Sequence, residues 1–238
     1  MEEYKKVKLP SIWTLFIKRS FDIISSGIVI IILLPFFIIF TPIVAIKMKG
    51  NPFFVQQRPG KNEKIFKLIK YRTMTNAKDS NGELLSDAER LTKFGKTMRS
   101  LSIDELPELF NIFIGDMSVV GPRPLLIKDM VFMTNEQRQR HQVRQGLTGL
   151  AQISGRNNID WIDKLTLDVQ YIGNISFIND LKIIFNTIFK VFKREDTVRE
   201  GTESDMDLGD YLLKEKYLTK AKYYMLLNKV NDYKELDL

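Results

Sequence analysis

The sequence predicts an α+β fold, mainly helical, in which an N-terminal re-entrant membrane helix-break-helix precedes a small cytoplasmic globular domain with interfacial amphipathic helices. Three observations carry that prediction. Residues 23–46 hold no charge and are mostly Ile, Leu, Phe and Val, with Pro35 near the middle. Downstream, residues 103–114, 160–171 and 179–194 read as helical or apolar-periodic stretches. Extended character is confined to residues 54–72 and to short pieces within residues 146–156.

The uncharged run exceeds a signal-peptide core and no small-residue cleavage site follows it, so it reads as a retained membrane segment. Lys5, Lys6, Lys8, Lys18 and Arg19 precede it, and Lys47, Lys49 and Arg58 follow. A single span wants one basic flank, and here both are basic. Pro35 removes a backbone donor and bends a helix. Two arms of about 12 residues at ~1.5 Å per residue would each cover about 18 Å, half a bilayer. A helix that dips in, breaks at Pro35 and returns to the same face satisfies both features; a single tilted span is the competing topology.

Residues 54–72 read as a hairpin, with Arg58-Pro59-Gly60-Lys61-Asn62 supplying the turn. A polar loop covers residues 75–83. Ser86 and Glu89 then form a capping box opening a helix with Ala88, Leu91, Gly95 and Met98 on one side. The apolar stretch over residues 103–114 is stopped by Gly121-Pro122-Arg123-Pro124. Residues 136–144 read as a polar helix, residues 146–156 as a glycine-rich loop. The helix over residues 179–194 is strongly apolar, interrupted by Lys182, Lys190, Lys193 and Arg194, and suits either the core or a membrane interface.

The chain has 238 residues, enough for one or at most two domains. It has no cysteine, which excludes disulfides, Cys-ligated zinc, iron–sulfur clusters and thiol nucleophiles, and favours a cytoplasmic face. The single histidine, His141, excludes multi-His metal sites. Catalysis here would run on carboxylates, arginines and a hard metal ion. The net charge of +7 is unevenly spread: residues 1–194 carry +11 and residues 195–238 carry −4. The domains are therefore read as a basic N-terminus and membrane hairpin (1–49), a cytoplasmic catalytic domain (50–194), and an acidic linker with an amphipathic C-terminal helix (195–238). A basic body on a membrane hairpin implies an anionic partner at the bilayer surface, for which anionic headgroups alone would suffice. Nucleic acid is not expected, because the aromatics sit in apolar runs rather than among Lys and Arg.

The stretch Arg99-Ser100-Leu101-Ser102-Ile103-Asp104-Glu105-Leu106-Pro107 admits two readings. Ser102 and Glu105 have capping-box spacing, with Asp104 in the first turn favoured by the helix dipole. The same geometry offers backbone donors to a phosphate, beside an Asp that could hold Mg²⁺ or attack phosphorus. In Gly121-Pro122-Arg123-Pro124, two prolines pin the backbone around Arg123, so its guanidinium loses little freedom on gripping a phosphate. Lys70, Arg72 and Arg156 add cations near tyrosine or glycines. Walker, GxGxxG and HExxH motifs are absent.

Taken together, these stretches resemble the bacterial sugar transferase family, the small monotopic phosphoglycosyl transferases. The resemblance covers residues 18–194. It rests on the membrane segment with Pro35, Gln56-Gln57-Arg58-Pro59-Gly60 and Lys70-Tyr71-Arg72-Thr73-Met74. It continues through Asp104-Glu105-Leu106-Pro107, Gly115-Asp116-Met117-Ser118, Gly121-Pro122-Arg123-Pro124, and Gly146-Leu147-Thr148-Gly149 to Gly155-Arg156-Asn157. It implies a phosphoglycosyl transferase of the bacterial inner membrane, with its active site facing the cytoplasm. Its substrates would be a UDP-sugar and undecaprenyl phosphate, with membrane lipids around it. Asp104 would be the nucleophile of a ping-pong mechanism that releases UMP. Asp104 or Glu105 would contact Mg²⁺, with Glu105 alternatively a base in the second step. Arg99, Arg123 and Arg156 would position phosphates, with Lys70 and Arg72 in support, and Pro35 would mark the re-entrant kink. One departure is Leu34, where members often carry a small polar residue. The alternative is a catalytically silent membrane-anchored scaffold of the same fold.

Overall fold

The computed structural model describes residues 6–155, 159–193 and 206–235. It begins with one long helix, α1 (Ile12–Met48), capped by Ser11, whose hydroxyl accepts from the Thr14 N–H at 3.2 Å. Pro35 and Pro42 both lie inside α1, so the helix runs on where the sequence reading expects a break. Each proline deletes one backbone bond, and the bonds on either side carry the helix past it. Both arms nonetheless reach the same later helix, α4 (Glu108–Ile114). Arg19 donates to the carbonyls of Ile112 and Phe113 at 2.7 and 2.8 Å, and the Phe37 ring lies 5.4 Å from that of Phe110. Both arms of α1 therefore contact α4 through long side chains.

The hairpin forms as expected: β1 (Phe53–Pro59) pairs antiparallel with β2 (Ile65–Tyr71), from Phe53↔Tyr71 to Pro59↔Ile65. Tyr71 stacks on Phe53, meets Phe40 edge-on, and shares a 2.8 Å hydrogen bond with Thr41. The second arm of α1 thus enters the main core, where Phe37, Val44 and Met48 pack with Phe66, Leu68, Tyr71 and Met98.

The Ser86–Glu89 capping box is present, but its helix stops after one turn, at α2 (Asp87–Arg90). Leu91 is extended and bridges Met74, and Thr92 then caps a second helix, α3 (Lys93–Ser100). The single expected helix is split because α3 lies directly on the strand exit: a Cβ on Gly95 would fall 1.9 Å from the Thr73 carbonyl oxygen. A 3₁₀ turn (Ile103–Glu105) leads into α4, which ends at Gly115 with φ of 106°.

Then come β3 (Met117–Val120), α5 (Ile127–Met130), α6 (Asn135–Arg138), a 3₁₀ turn (Gln139–Gln142) and β4 (Gln145–Thr148). The expected polar helix over residues 136–144 is therefore a turn of α-helix followed by 3₁₀. Strands β3 and β4 pair in parallel, Met117↔Gln145 to Val120↔Thr148. Three glycines permit the backbones to touch: a Cβ on Gly146 would sit 2.1 Å from the Gly121 nitrogen, and one on Gly149 2.1 Å from the Gly121 oxygen.

Helices α7 (Leu150–Ser154), α8 (Trp161–Gly173) and α9 (Phe177–Lys193) follow. Helix α9 buries Asp180 and Ile183 but exposes Phe177, Ile178, Leu181, Phe185, Ile188 and Phe189. It adjoins the first arm of α1 through the Phe21–Phe177 ring pair at 5.6 Å and a 2.6 Å ion pair between Lys18 and Asp180. In place of one C-terminal amphipathic helix there are three short ones, α10 (Leu208–Lys214), α11 (Lys220–Asn228) and α12 (Val230–Glu235). They are docked, with Leu208 and Val230 buried against Phe132, Trp161 and Leu165. Most of the expected acidic linker lies outside the described residues.

Candidate active site

Backbone conformation removes the capping-box reading of residues 99–107, and with it the helix start that would offer donors to a phosphate. Ser102 is left-handed, with φ of 53°, and its side chain makes no capping bond. Asp104 and Glu105 therefore sit on the separate 3₁₀ turn, while α4 starts at Glu108 behind Pro107. Freed from a capping role, the Glu105 carboxylate turns to the cations. Its Oε1 accepts from Lys70 Nζ at 2.9 Å and from Arg123 Nη2 at 2.8 Å. Lys70 Nζ also lies 3.0 Å from Glu108 Oε1. One ammonium at the end of β2 thereby joins two carboxylates, and the loop after β3 brings in the guanidinium.

The neighbouring carboxylates differ in character. Burial works to raise Glu105, but Lys70 and Arg123 beside it hold it well below the usual carboxylate range. Burial and the charge of Glu105 raise Asp104 above the ordinary aspartate value, against the pull of Lys70, Arg99 and Arg123. Asp104 is half-buried, and among the described residues no hydrogen bond or ion pair fixes its carboxylate. Glu108 is buried and pushed up to about 7, mainly by desolvation, with Lys70 opposing. The result is an accessible, unbonded carboxylate beside a carboxylate already committed to two cations.

The supporting contacts come from far along the chain. Asn111 ties α4 to β2, accepting from the Ile69 N–H at 3.1 Å and donating to the Lys67 carbonyl at 2.8 Å, which sets Lys70 against the 3₁₀ turn. Arg99 Nε donates to Thr73 Oγ1 at 3.1 Å. The arginine loop is held from two sides. Arg58, near the end of β1, donates to the Pro124 carbonyl at 3.3 Å. Arg140, fully buried, binds Asp168 Oδ2 through Nε at 3.0 Å and Nη2 at 2.8 Å, and also donates to the Arg123 carbonyl. From α1, Asp22 accepts from Ser118 Oγ at 2.8 Å and the Val119 N–H at 2.9 Å, anchoring β3.

Of the residues singled out from sequence, Lys70, Arg99, Asp104, Glu105 and Arg123 come together. Arg72 makes none of these contacts: its N–H bonds the Pro52 carbonyl and its guanidinium lies beside Gly50. Arg156 lies outside the described residues. Pro35 sits within α1, away from the cluster. Glu108, Arg140 and Asp168 were not singled out. An acidic residue just after a proline is ordinary in a helix first turn, and Arg140 and Asp168 meet only in three dimensions.

No group of three or more acidic or histidine side chains suited to a metal occurs among the described residues. A hard cation that keeps its waters and takes substrate phosphates needs only one or two carboxylates, and Asp104 with the remaining Glu105 oxygen would be the residues to hold it. Three cations around a free carboxylate suit a polyanionic electrophile such as a phosphoryl group.

The chain is similar to known proteins over most of its length. The model for bacterial sugar transferases matches residues 13–194. An uncharacterized sugar transferase of Bacillus subtilis, EpsL, is 48% identical over 182 residues, 76% of this chain and 90% of that protein. The exopolysaccharide production protein ExoY of Rhizobium meliloti is 36% identical over 188 residues, 72% of this chain and 83% of that protein. A UDP-glucose:undecaprenyl-phosphate glucose-1-phosphate transferase of Klebsiella pneumoniae is 40% identical over 190 residues, 74% of this chain and 40% of its own length. The whole charge cluster lies inside the matched region, and helices α10 to α12 lie beyond it.

Proposed function

The chain belongs to the bacterial sugar transferase family, and on that premise we propose that it moves a sugar-1-phosphate from a UDP-sugar to undecaprenyl phosphate. The observation that carries the mechanism is the contrast between Asp104 and Glu105. The Asp104 carboxylate attacks the sugar-bearing phosphorus; an Asp–O–P bond forms, the bond to the other phosphate breaks, and UMP leaves with the electron pair. The phosphate oxygen of the lipid then attacks the same phosphorus, and Asp104 departs as a carboxylate. Lys70, Arg99 and Arg123 offset the charge that develops on the phosphoryl oxygens. Glu105, bound to two cations, positions them rather than acting as the nucleophile. Asp104 and Glu105 are the residues that would hold Mg²⁺, which neutralises diphosphate charge when bound.

One substrate is soluble and the other is a lipid, so the site belongs at a membrane surface. Two features support that placement. Helix α1 is long and apolar enough to cross a membrane, and the exposed apolar residues of α1, α4 and α9 adjoin one another through Phe113, Phe110, Phe21 and Phe177. Contacts of both arms of α1 with α4, with Pro35 between them, favour re-entry on one side over crossing. On this reading the enzyme sits in the inner membrane with its site facing the cytoplasm, at the first membrane step of polysaccharide assembly.

The test is UMP release by the detergent-solubilised protein with Mg²⁺ and a panel of UDP-sugars, with and without undecaprenyl phosphate. The expected result is turnover with a preferred sugar and, without lipid, a phospho-sugar mass adduct on Asp104. Absence of UMP release with every sugar, from folded protein, would overturn the transferase reading in favour of a silent scaffold.

A further inference from the structure

The family match ends at residue 194, yet residues 206–235 pack against the element that follows the arginine loop. Helix α5 starts three residues after Pro124. Its Asp129 is buried and serves both sides: Oδ2 accepts from the Leu126 N–H at 3.1 Å, capping α5 itself, and Oδ1 accepts from the Leu208 N–H at 3.0 Å, at the start of α10. Next to it, Lys128 pairs with Asp207. Trp161 Nε1 donates to the Met206 carbonyl at 2.8 Å, fixing the same point from α8. Gly209 lies flat on Phe132, where a Cβ would come within 2.5 Å of the ring. Leu208 is fully buried among Ile127, Phe132 and Leu165.

The docked segment also adds one acidic charge near the Arg58 guanidinium. Arg58, which donates to the Pro124 carbonyl, feels the like charge of Arg123 and the opposing charges of Asp129 and Asp207. Two guanidiniums close together in a partly buried site need such counter-charges.

We propose that residues 206–235 are a positioning element of the site, in which Asp207 and Leu208 clamp α5 through Lys128 and Asp129 and so hold the loop that presents Arg123. The catalytic consequence rests on the transferase reading above; the placement of the loop does not. Arg123 approaches the phosphates, and the tail acts only through it.

The experiment uses the full chain and two readouts. Amide hydrogen exchange over residues 119–127, measured without substrate, reports the loop directly; kcat and KM for UMP release report its use. Asp207→Lys is expected to speed exchange across the loop and to lower kcat about tenfold, as small misplacements of a phosphate-binding group do. The exchanged pair Lys128→Asp/Asp207→Lys, with the wild-type net charge, is expected to restore both. Leu208→Ala, with Leu208→Met as its conservative counterpart, tests the apolar half of the clamp and carries the test if Asp207→Lys does not fold. Loss of melting temperature with loop exchange and kinetics per folded molecule unchanged would overturn the proposal, and so would no change at all. A wild-type protein that releases no UMP would refute the transferase reading, leaving the exchange data to decide the loop.

Discussion

Two ion-paired clusters flank the arginine loop. In one, Arg140 and Asp168 are almost wholly removed from water, at 0% and 3% exposure, and one carboxylate faces one guanidinium. In the other, Lys70 and Arg123 both bind Glu105, Lys70 also meets Glu108, and Asp104 stands at the edge with no hydrogen bond to its carboxylate among the described residues. The first cluster fixes backbone, with the Arg123 carbonyl as its further partner, and leaves Asp168 Oδ1 buried without a hydrogen bond. The second is only half-buried at Asp104, and the Arg123 side chain that binds Glu105 is 47% exposed. The difference lies in exposure: one Arg–Asp pair is taken out of water in the first, whereas the second sets Lys70, Arg123 and two glutamates beside a half-buried Asp104.

The largest test of that contrast is Asp104→Asn. With no bond to lose it should fold and melt like wild type, while UMP release falls by about 10³-fold or more; retention of activity within tenfold would remove the distinction. Asp168→Ala acts on the closed cluster and leaves Arg140 buried without its carboxylate. Urea denaturation should show a loss of about 3–5 kcal/mol, with kcat per folded molecule reduced as the Arg123 carbonyl loses its anchor. A loss below about 1 kcal/mol, the scale of an exposed pair, would mean that the pair is not the support. Glu105→Gln keeps the shape but removes the charge that binds Lys70 and Arg123. A fall in kcat of about 10–100-fold is expected, because charge-assisted bonds are worth about 1.5–3 kcal/mol.

The smallest effect is on pH dependence. Asp104 attacks only when ionised, so activity is present above its folded-state pKa and is lost as pH falls through it. Burial and Glu105 raise that value, so the acid limb should lie above the ordinary aspartate range near ~3.9. In Glu105→Gln the raising charge is gone and the two cations are released toward Asp104, so the limb should move down. A pH–rate profile with an unmoved or raised limb would contradict the coupling.

Much of this was legible in the sequence where local rules suffice. The hairpin over residues 54–72, the Ser86–Glu89 box and the helices near residues 160–171 and 179–194 all follow from turn chemistry and periodicity. The motif residues Lys70, Arg99, Asp104, Glu105 and Arg123 were found because they occur in short, ordered stretches. The misses share a cause. Leu91 leaves the helix to bridge Met74, Glu105 abandons Ser102 for Lys70, and Asp168 finds Arg140, each through a partner distant in the chain. The C-terminal segment reads as one amphipathic helix because its apolar residues are spaced for one, whereas the surface offered by Phe132 and Trp161 divides it into three. Continuity of α1 through Pro35 is similar, since contacts of both arms with α4 outweigh one missing bond.

The parallel pairing of β3 with β4 also has a bearing on the order in which the protein can be made. The hairpin that carries Lys70 closes locally, and the turn with Asp104 and Glu105 needs only the helix behind it. The arginine loop is different: Gly146, Gly149, Arg140 and Asp168 must all have left the ribosome before it has anything to close against. Helix α1 precedes all of these in the chain. The growing chain therefore passes through a stage with its acidic half assembled and its arginine half unmade, and loop-closure entropy makes the second half the slow one.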